Sequence, residues 1–351
     1  MKTNKTIVAL SLCILALSGV VTAINAATAT ENPTTTPPNM APQSLTAPVY
    51  GNWTYSGAYN GSVSCFSIAP STDGGYVLAG QNMNIPTSFF DAWLLKVDST
   101  GAAQWNKSYG PTGPGAELAY SIINCSDGGY AFTGYTTSYG AGSYDMWLVK
   151  VDENGTQEWM QTYGGTDYDG GTSVIATTDG GYMVVGFTNS SATQYDFFVV
   201  KTDATGNLVW SKTFGGLGWE RAYGVVETAD GGFAVVGSSN SSGQQDGLLI
   251  KLDSYGNQLW NKTYGSDYPD SFRSIVITST GFTMLGGISP DFNHSTCWLV
   301  NVDVNGGLLW NKTYGGSYYT ASFGFIMTND GGYVFTGVTN SVNAGYPDLW
   351  L

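Results

Sequence analysis

Apolar residues in this chain of 351 residues come in short runs, strictly alternating or nearly continuous, and each run is cut by a turn signal. Tyr76-Val77-Leu78-Ala79-Gly80 follows Asp73-Gly74-Gly75, and Asp91-Ala92-Trp93-Leu94-Leu95-Lys96-Val97 ends at Asp98-Ser99-Thr100-Gly101. Alternation with a period of two predicts half-buried strands, while short apolar runs rich in β-branched and aromatic residues predict buried ones. No segment after the first fifty residues carries helical spacing. The pattern predicts an all-β protein of short strands and tight turns.

The runs repeat. Asp-Gly-Gly begins at Asp73, Asp127, Asp179, Asp230 and Asp330, with Ser279-Thr280-Gly281-Phe282 as a degenerate copy between the last two. Each is followed by an aromatic residue and an alternating run, a hairpin signal because Asp-Gly supplies the positive φ that the turn needs. Further on comes an Asp-x-apolar strand at Asp91, Asp145, Asp196, Asp246 and Asp348, then an Asp-x-x-Gly turn at Asp98, Asp152, Asp203, Asp253 and Asp303. The next strand carries Trp105, Trp159, Trp210, Trp260 or Trp310. With a short strand before each Asp-Gly-Gly, four strands recur roughly every 50 residues, the length of a propeller blade.

The expected fold is a six-bladed β-propeller over 49–351, with four antiparallel strands per blade. The repeat starts on the Trp strand, Trp53-Thr54-Tyr55, and stops within the third strand at Asp348-Leu349-Trp350-Leu351. The first strand is therefore expected to complete the last blade and close the ring, which removes exposed sheet edges. The last copy lacks its Lys-x-Asp-x-x-Gly ending, so a longer chain with seven or more blades is also compatible. The Asp-x-x-Gly turn before Val209-Trp210 and Leu259-Trp260 resembles the quinoprotein-type (PQQ-like) propeller repeat and, with altered spacing, the Asp-box hairpin of sialidase-like propellers. The Asp-Gly-Gly-Tyr form is similar to repeats of secreted archaeal and bacterial surface propellers. The resemblance implies that ligands bind on the face where the loop entering the innermost strand and the loop between the second and third strands both open.

The first 28 residues read as a signal peptide: Lys2 and Lys5 precede an apolar stretch from Ile7 to Val21, and small residues follow at Ala23 and Ala26. Residues 29–48 form a Thr/Pro-rich linker. Sequons such as Asn106, Asn154, Asn189 and Asn240 agree with an extracellular or cell-surface glycoprotein. The net charge of −14 argues against nucleic-acid partners, which need a basic face. Cys65, Cys125 and Cys297 fall at different repeat positions and read as isolated buried thiols, with one disulfide pair in an oxidising compartment as the alternative.

A residue present in every copy is expected to serve the blade, and a departure marks where function was added. An acidic residue stands before the innermost strand in four copies, at Glu117, Asp169, Glu220 and Asp270, with Tyr168, Trp219, Tyr268 and Tyr319 nearby. A mouth of carboxylates and aromatic faces suits a carbohydrate, or a hard cation such as Ca²⁺; the same residues would equally cap blade ends and face water. The chain's two arginines, Arg221 and Arg273, lie at the start of adjacent innermost strands, and Arg273 replaces an aromatic found as Phe66, Tyr120, Tyr223 and Phe323. With Asp270 and the single histidine, His294, they form a candidate anionic subsite, unless each arginine pairs with its neighbouring acid.

One histidine excludes His-rich metal sites, and the Gly-Gly pairs sit in hairpins and not before helices, so they are not phosphate loops. A quinone cofactor would need a Cys-Cys pair, and a sialidase three arginines; neither is present. The expected function is a binding or scaffold module for a glycan or a cell-surface protein. The alternatives are a polysaccharide hydrolase or lyase using the mouth acids, or a purely structural envelope protein.

Overall fold

The computed structural model describes residues 63–84, 89–189, 194–291, 294–315, 319–328, 330–339 and 348–350. The signal-peptide and linker segments and the Trp53 strand expected to close the ring lie outside these residues.

The described chain is all β. Blade one holds β1 (Val63–Pro70), β2 (Tyr76–Asn84), β3 (Phe89–Val97) and β4 (Ala103–Tyr109). Blade two holds β5 (Glu117–Asn124), β6 (Tyr130–Thr136), β7 (Asp145–Val151) and β8 (Gln157–Tyr163). Blade three holds β9 (Asp169–Ala176), β10 (Tyr182–Thr188), β11 (Asp196–Thr202) and β12 (Leu208–Phe214). Blade four holds β13 (Glu220–Glu227), β14 (Phe233–Ser239), β15 (Asp246–Leu252) and β16 (Gln258–Tyr264). Blade five holds β17 (Asp270–Ile277), β18 (Gly281–Asp291), β19 (His294–Asp303) and β20 (Leu308–Tyr314). Blade six shows β21 (Thr320–Met327), β22 (Tyr333–Thr339) and β23 (Asp348–Trp350). Strands pair in sequence order within each sheet, all antiparallel, giving five four-stranded sheets and one of three strands. Each innermost strand packs beside the next, and all six border one central channel. This is a β-propeller.

The turns explain the glycines that punctuate the sequence. In blade three, Gly180 has φ +86°, and a Cβ on Gly181 would lie 2.1 Å from the Thr202 carbonyl oxygen. One glycine is required by conformation and the next by close approach, which is why the pair recurs. The Asp179 carboxylate caps this hairpin, accepting from the Gly181 N–H at 3.1 Å and the Thr177 hydroxyl at 2.6 Å.

The core lies between blades. Every residue of β7 and β14 is buried, because each middle strand is covered on both faces, whereas the outermost strands alternate towards solvent. Leu94 and Ala92 of blade one pack with Phe132, Trp147 and Val149 of blade two, and equivalent layers join the following blades. The repeated Trp and Tyr of the outermost strand reach the next blade. Trp105 Nε1 donates to Glu153 O, and the Tyr109, Tyr163 and Tyr264 hydroxyls donate to the carbonyls of Gly155, Gly206 and Gly306 at 2.6–2.7 Å. The three cysteines among the described residues are thiols, with Cys65 and Cys297 buried and Cys125 half-buried.

Candidate functional site at the central channel

The innermost strands run from the loop face inwards, and each bulges at its fourth residue. Register slips across Phe66, Tyr120, Thr172, Tyr223, Arg273 and Phe323 in turn. A bulge leaves one residue out of the ladder and re-aims its side chain. All six bulged residues line a cavity of about 1040 Å³. They make a collar of aromatic rings interrupted by one threonine and one arginine. Phe66 and Tyr120 stand 5.3 Å apart between ring centroids, and the Arg273 guanidinium lies 4.2 Å above the Tyr223 ring. Beyond the collar the wall turns apolar, with Ile123, Val226, Ile277 and Met327 at the ends of the same strands.

Blade three departs from its neighbours in having Gly170, Gly171 and Thr172 at the head of β9. The Phe187 ring occupies the space over Gly170. Across this gap Arg221 extends its guanidinium, 4.4 Å from the Tyr195 ring and 4.9 Å from Phe187. Burial raises the Tyr120 hydroxyl's pKa, and the positive charge of Arg221 opposes part of that rise. Among the described residues neither arginine forms an ion pair.

The acids before the innermost strands are not displayed at the mouth. Glu117, Asp169, Glu220 and Asp270 are buried because they tie the incoming loop to the blade. Asp169 accepts from Gly165 N at 2.7 Å and Asp270 from Ser266 N at 2.5 Å. Glu220 accepts from Gly216 N and from the Ser239 and Ser241 hydroxyls, and Glu117 from the Thr136 hydroxyl. Glu117, Glu220 and Asp270 also approach the Asp at the head of the preceding blade's third strand. A Cβ on Gly215 would meet Asp196 Oδ1 at 1.8 Å and Glu220 Oε2 at 2.8 Å, and one on Gly110 would meet Asp91 and Glu117, each at 3.0 Å. Burial raises the pKa of Asp91 and of Asp270, the latter with a contribution from the Asp246 charge. Between blades five and six both acids are absent: Thr296 and Thr320 hold the two positions.

The remaining candidate residues scatter. Tyr319 is half-buried and borders the channel. Tyr168 is 42% exposed and stacked on Tyr144 at 5.0 Å. Tyr268 is exposed, and Trp219 is half-buried with its backbone held by Asn240. His294 sits at the tip of the β18–β19 hairpin, where Nδ1 bonds the Asp291 carboxylate at 2.8 Å, and it does not border the channel. The structure therefore brings Arg221, Arg273 and Tyr319 together on one cavity and leaves His294 and Asp270 outside it. Among the described residues no group of three metal-ligating side chains converges.

The collar is what sequence reasoning missed. Phe66, Tyr120, Tyr223 and Phe323 were legible as a recurring aromatic position, but an aromatic in a strand reads as core until the bulge that turns it inward is known. A signal existed: the residue stands one place out of register with the alternation on either side, as in Ala222-Tyr223-Gly224-Val225.

No protein-family model matches the chain, and no curated protein matches it. Among solved structures it is similar to a puromycin hydrolase, at 13% identity and a TM-score of 0.44, over 80% of this chain and 43% of that one. It is similar to a putative exo-β-1,3-galactanase from Bifidobacterium bifidum s17, at 14% identity and a TM-score of 0.41, over 74% and 93% of the two chains. It is also similar to a subtype N10 neuraminidase-like protein of A/little yellow-shouldered bat/Guatemala/060/2010, at 9% identity and a TM-score of 0.48, over 80% and 89%. The chain spans less than half the length of the puromycin hydrolase.

Proposed function

We propose that this propeller is a binding module that takes carbohydrate in the loop-side half of its central channel. The observation that carries the reading is the collar: four aromatic side chains on bulged residues of four different blades, facing one cavity. Sugar rings present C–H faces that stack on aromatic faces, while Tyr hydroxyls and strand-end Ser and Thr supply hydrogen bonds. The basic start and the apolar stretch Ile7–Val21 support export, so the ligand would be met at the cell surface or outside it.

Hydrolysis or lysis by the mouth acids is the weaker reading. A general acid or nucleophile must reach the substrate, and Glu117, Asp169, Glu220 and Asp270 are buried and accept hydrogen bonds from the loop entering the blade or from the adjacent strand.

A glycan array probed with the full chain, with Tyr223→Ala and with Leu309→Ala tests the reading. Leu309 is exposed on the outermost strand of blade five. Binding that Tyr223→Ala loses and Leu309→Ala retains is the expected result. Binding retained by Tyr223→Ala, or no glycan bound by the folded wild-type chain, would overturn it and favour a protein partner.

A further inference from the structure

We infer that Arg221 and Arg273 form an anion subsite in the channel and that the ligand is a saccharide carrying a carboxylate, a uronate-type sugar. The inference rests on the carbohydrate reading and adds the charge of the ligand.

Charge distribution carries the first part of the argument. The chain has a net charge of −14 and only two arginines, and both border the channel. Lys96, Lys150, Lys201 and Lys251 are each locked to the Asp of their own blade's hairpin. Lys107, Lys212, Lys262 and Lys312 stand on outermost strands. Among the described residues the other charged side chain on the channel wall is Glu227, at the far end of β13, where it accepts from the Thr178 N–H and hydroxyl. The loop-side half of the channel is thus a positive site inside an anionic protein.

The repeat supplies the second part. The second residue of the innermost strand is Ser64, Leu118, Gly170, Ser271 or Ala321 in the other blades, and only blade four has an arginine there. The fourth is aromatic in four blades, and only blade five has an arginine. The two departures fall in adjacent blades on the same cavity, and no packing role common to the blades asks for either.

Geometry supplies the third. Each guanidinium lies over an aromatic ring, 4.4 Å from Tyr195 and 4.2 Å from Tyr223. Stacking fixes the plane and leaves the N–H edge to a carboxylate, whose two oxygens match the guanidinium fork. The neighbouring acids do not neutralise the pair: Glu220 is engaged with Gly216, Ser239 and Ser241, and Asp270 with Ser266. Collar rings flanking this charge favour an anion borne on a ring over a small inorganic one.

Calorimetric titration of the full chain with tri-galacturonic acid and with its methyl ester tests this, using R221Q, R273Q, R273K and the remote control K312Q. A charge-assisted hydrogen bond removed at either arginine corresponds to a loss of about tenfold in affinity. The expected result is that the acid binds more tightly than the ester and weakens as salt rises. R221Q and R273Q each lose about tenfold for the acid alone, R273K falls between R273Q and wild type, and K312Q changes nothing. Equal binding of acid and ester, with the Gln variants unaffected, would overturn the anion subsite and leave the carbohydrate reading standing. Preference for a sulfated trisaccharide through the same arginines would overturn the carboxylate. No binding of either sugar by the folded chain would overturn the carbohydrate reading and this inference with it.

Discussion

Lys201 is 5% exposed, and its ammonium makes an ion pair with Asp179 at 2.8 Å while also donating to Thr202 O. The same pair recurs in blades one, two and four. Asp179→Asn keeps the hairpin acceptor but leaves a buried ammonium without its counter-charge, so a destabilisation of roughly 1–2 kcal/mol is expected in urea unfolding. Desolvation pushes the Asp179 pKa up, but hydrogen bonds from Lys201, Thr177 and Gly181 outweigh it and hold the pKa at about 2. Asp230 is likewise held at about 2, by Thr228, Lys251 and Gly232 against desolvation. A depressed folded-state pKa gives stability that is present above the unfolded value, near 3.8, and lost as pH falls through the folded one. The wild type should hold its melting temperature down to about pH 4 and lose it towards pH 2, with a shallower loss in Asp179→Asn. Asp270 runs the other way. Burial raises its pKa, Oδ1 has no hydrogen-bond partner among the described residues, and the Asp246 charge adds to the rise. Asp270→Asn keeps an acceptor for Ser266 and removes a charge that is unfavourable at neutral pH. Its melting temperature at pH 7 should equal or exceed that of wild type; a clear drop would show that the folded state needs the charge.

Among elements, the innermost strand carries the proposed site, and it was the least legible. The hairpins, the Trp strand and the turn glycines followed from local chemistry, because Asp-Gly-Gly and Asp-x-x-Gly each demand one backbone shape. The mouth acids did not follow, because their role depends on a neighbouring blade. The glycine after an outermost strand packs against carboxylates in four blades, those of two different blades at Gly110 and Gly215. Gly164 has φ +149°, and its Cβ would lie 2.2 Å from Asp169 Oδ2; Gly315 has φ +139° but faces only Thr320, at 3.2 Å. Gly164→Ala should therefore cost about 2 kcal/mol or more and Gly315→Ala measurably less, since both strain the backbone but one also displaces a held carboxylate. Equal costs in urea unfolding would mean that the backbone alone requires glycine there.

The whole molecule is a stack of blades whose buried layers lie between sheets, so paired losses in the sequence mark contacts. Blade five lost its lysine position to Asn301 together with its anchor Asp, now Ser279; Asn301 Nδ2 bonds Thr283 and the Phe282 carbonyl instead. Thr296 and Thr320 lost their acids together across the interface of blades five and six. In the sequence Ser279, Thr296 and Asn301 share one copy, and only the topology assigns Ser279 and Asn301 to one hairpin and Thr296 to a pair with Thr320 between blades. The fold was legible because period and turn chemistry are local. The channel was not, because its collar is assembled from residues roughly 50 apart in sequence.

Whether the collar holds a sugar is decided by a crystal structure of the full chain with tri-galacturonic acid. The expected result is a sugar ring against Tyr223 or Phe323, about 4 Å from the aromatic face, with its carboxylate on the Arg221 and Arg273 guanidinium edges. Sugar bound on the outermost strands or the exposed Tyr168 and Tyr268, with the collar vacant, would contradict it.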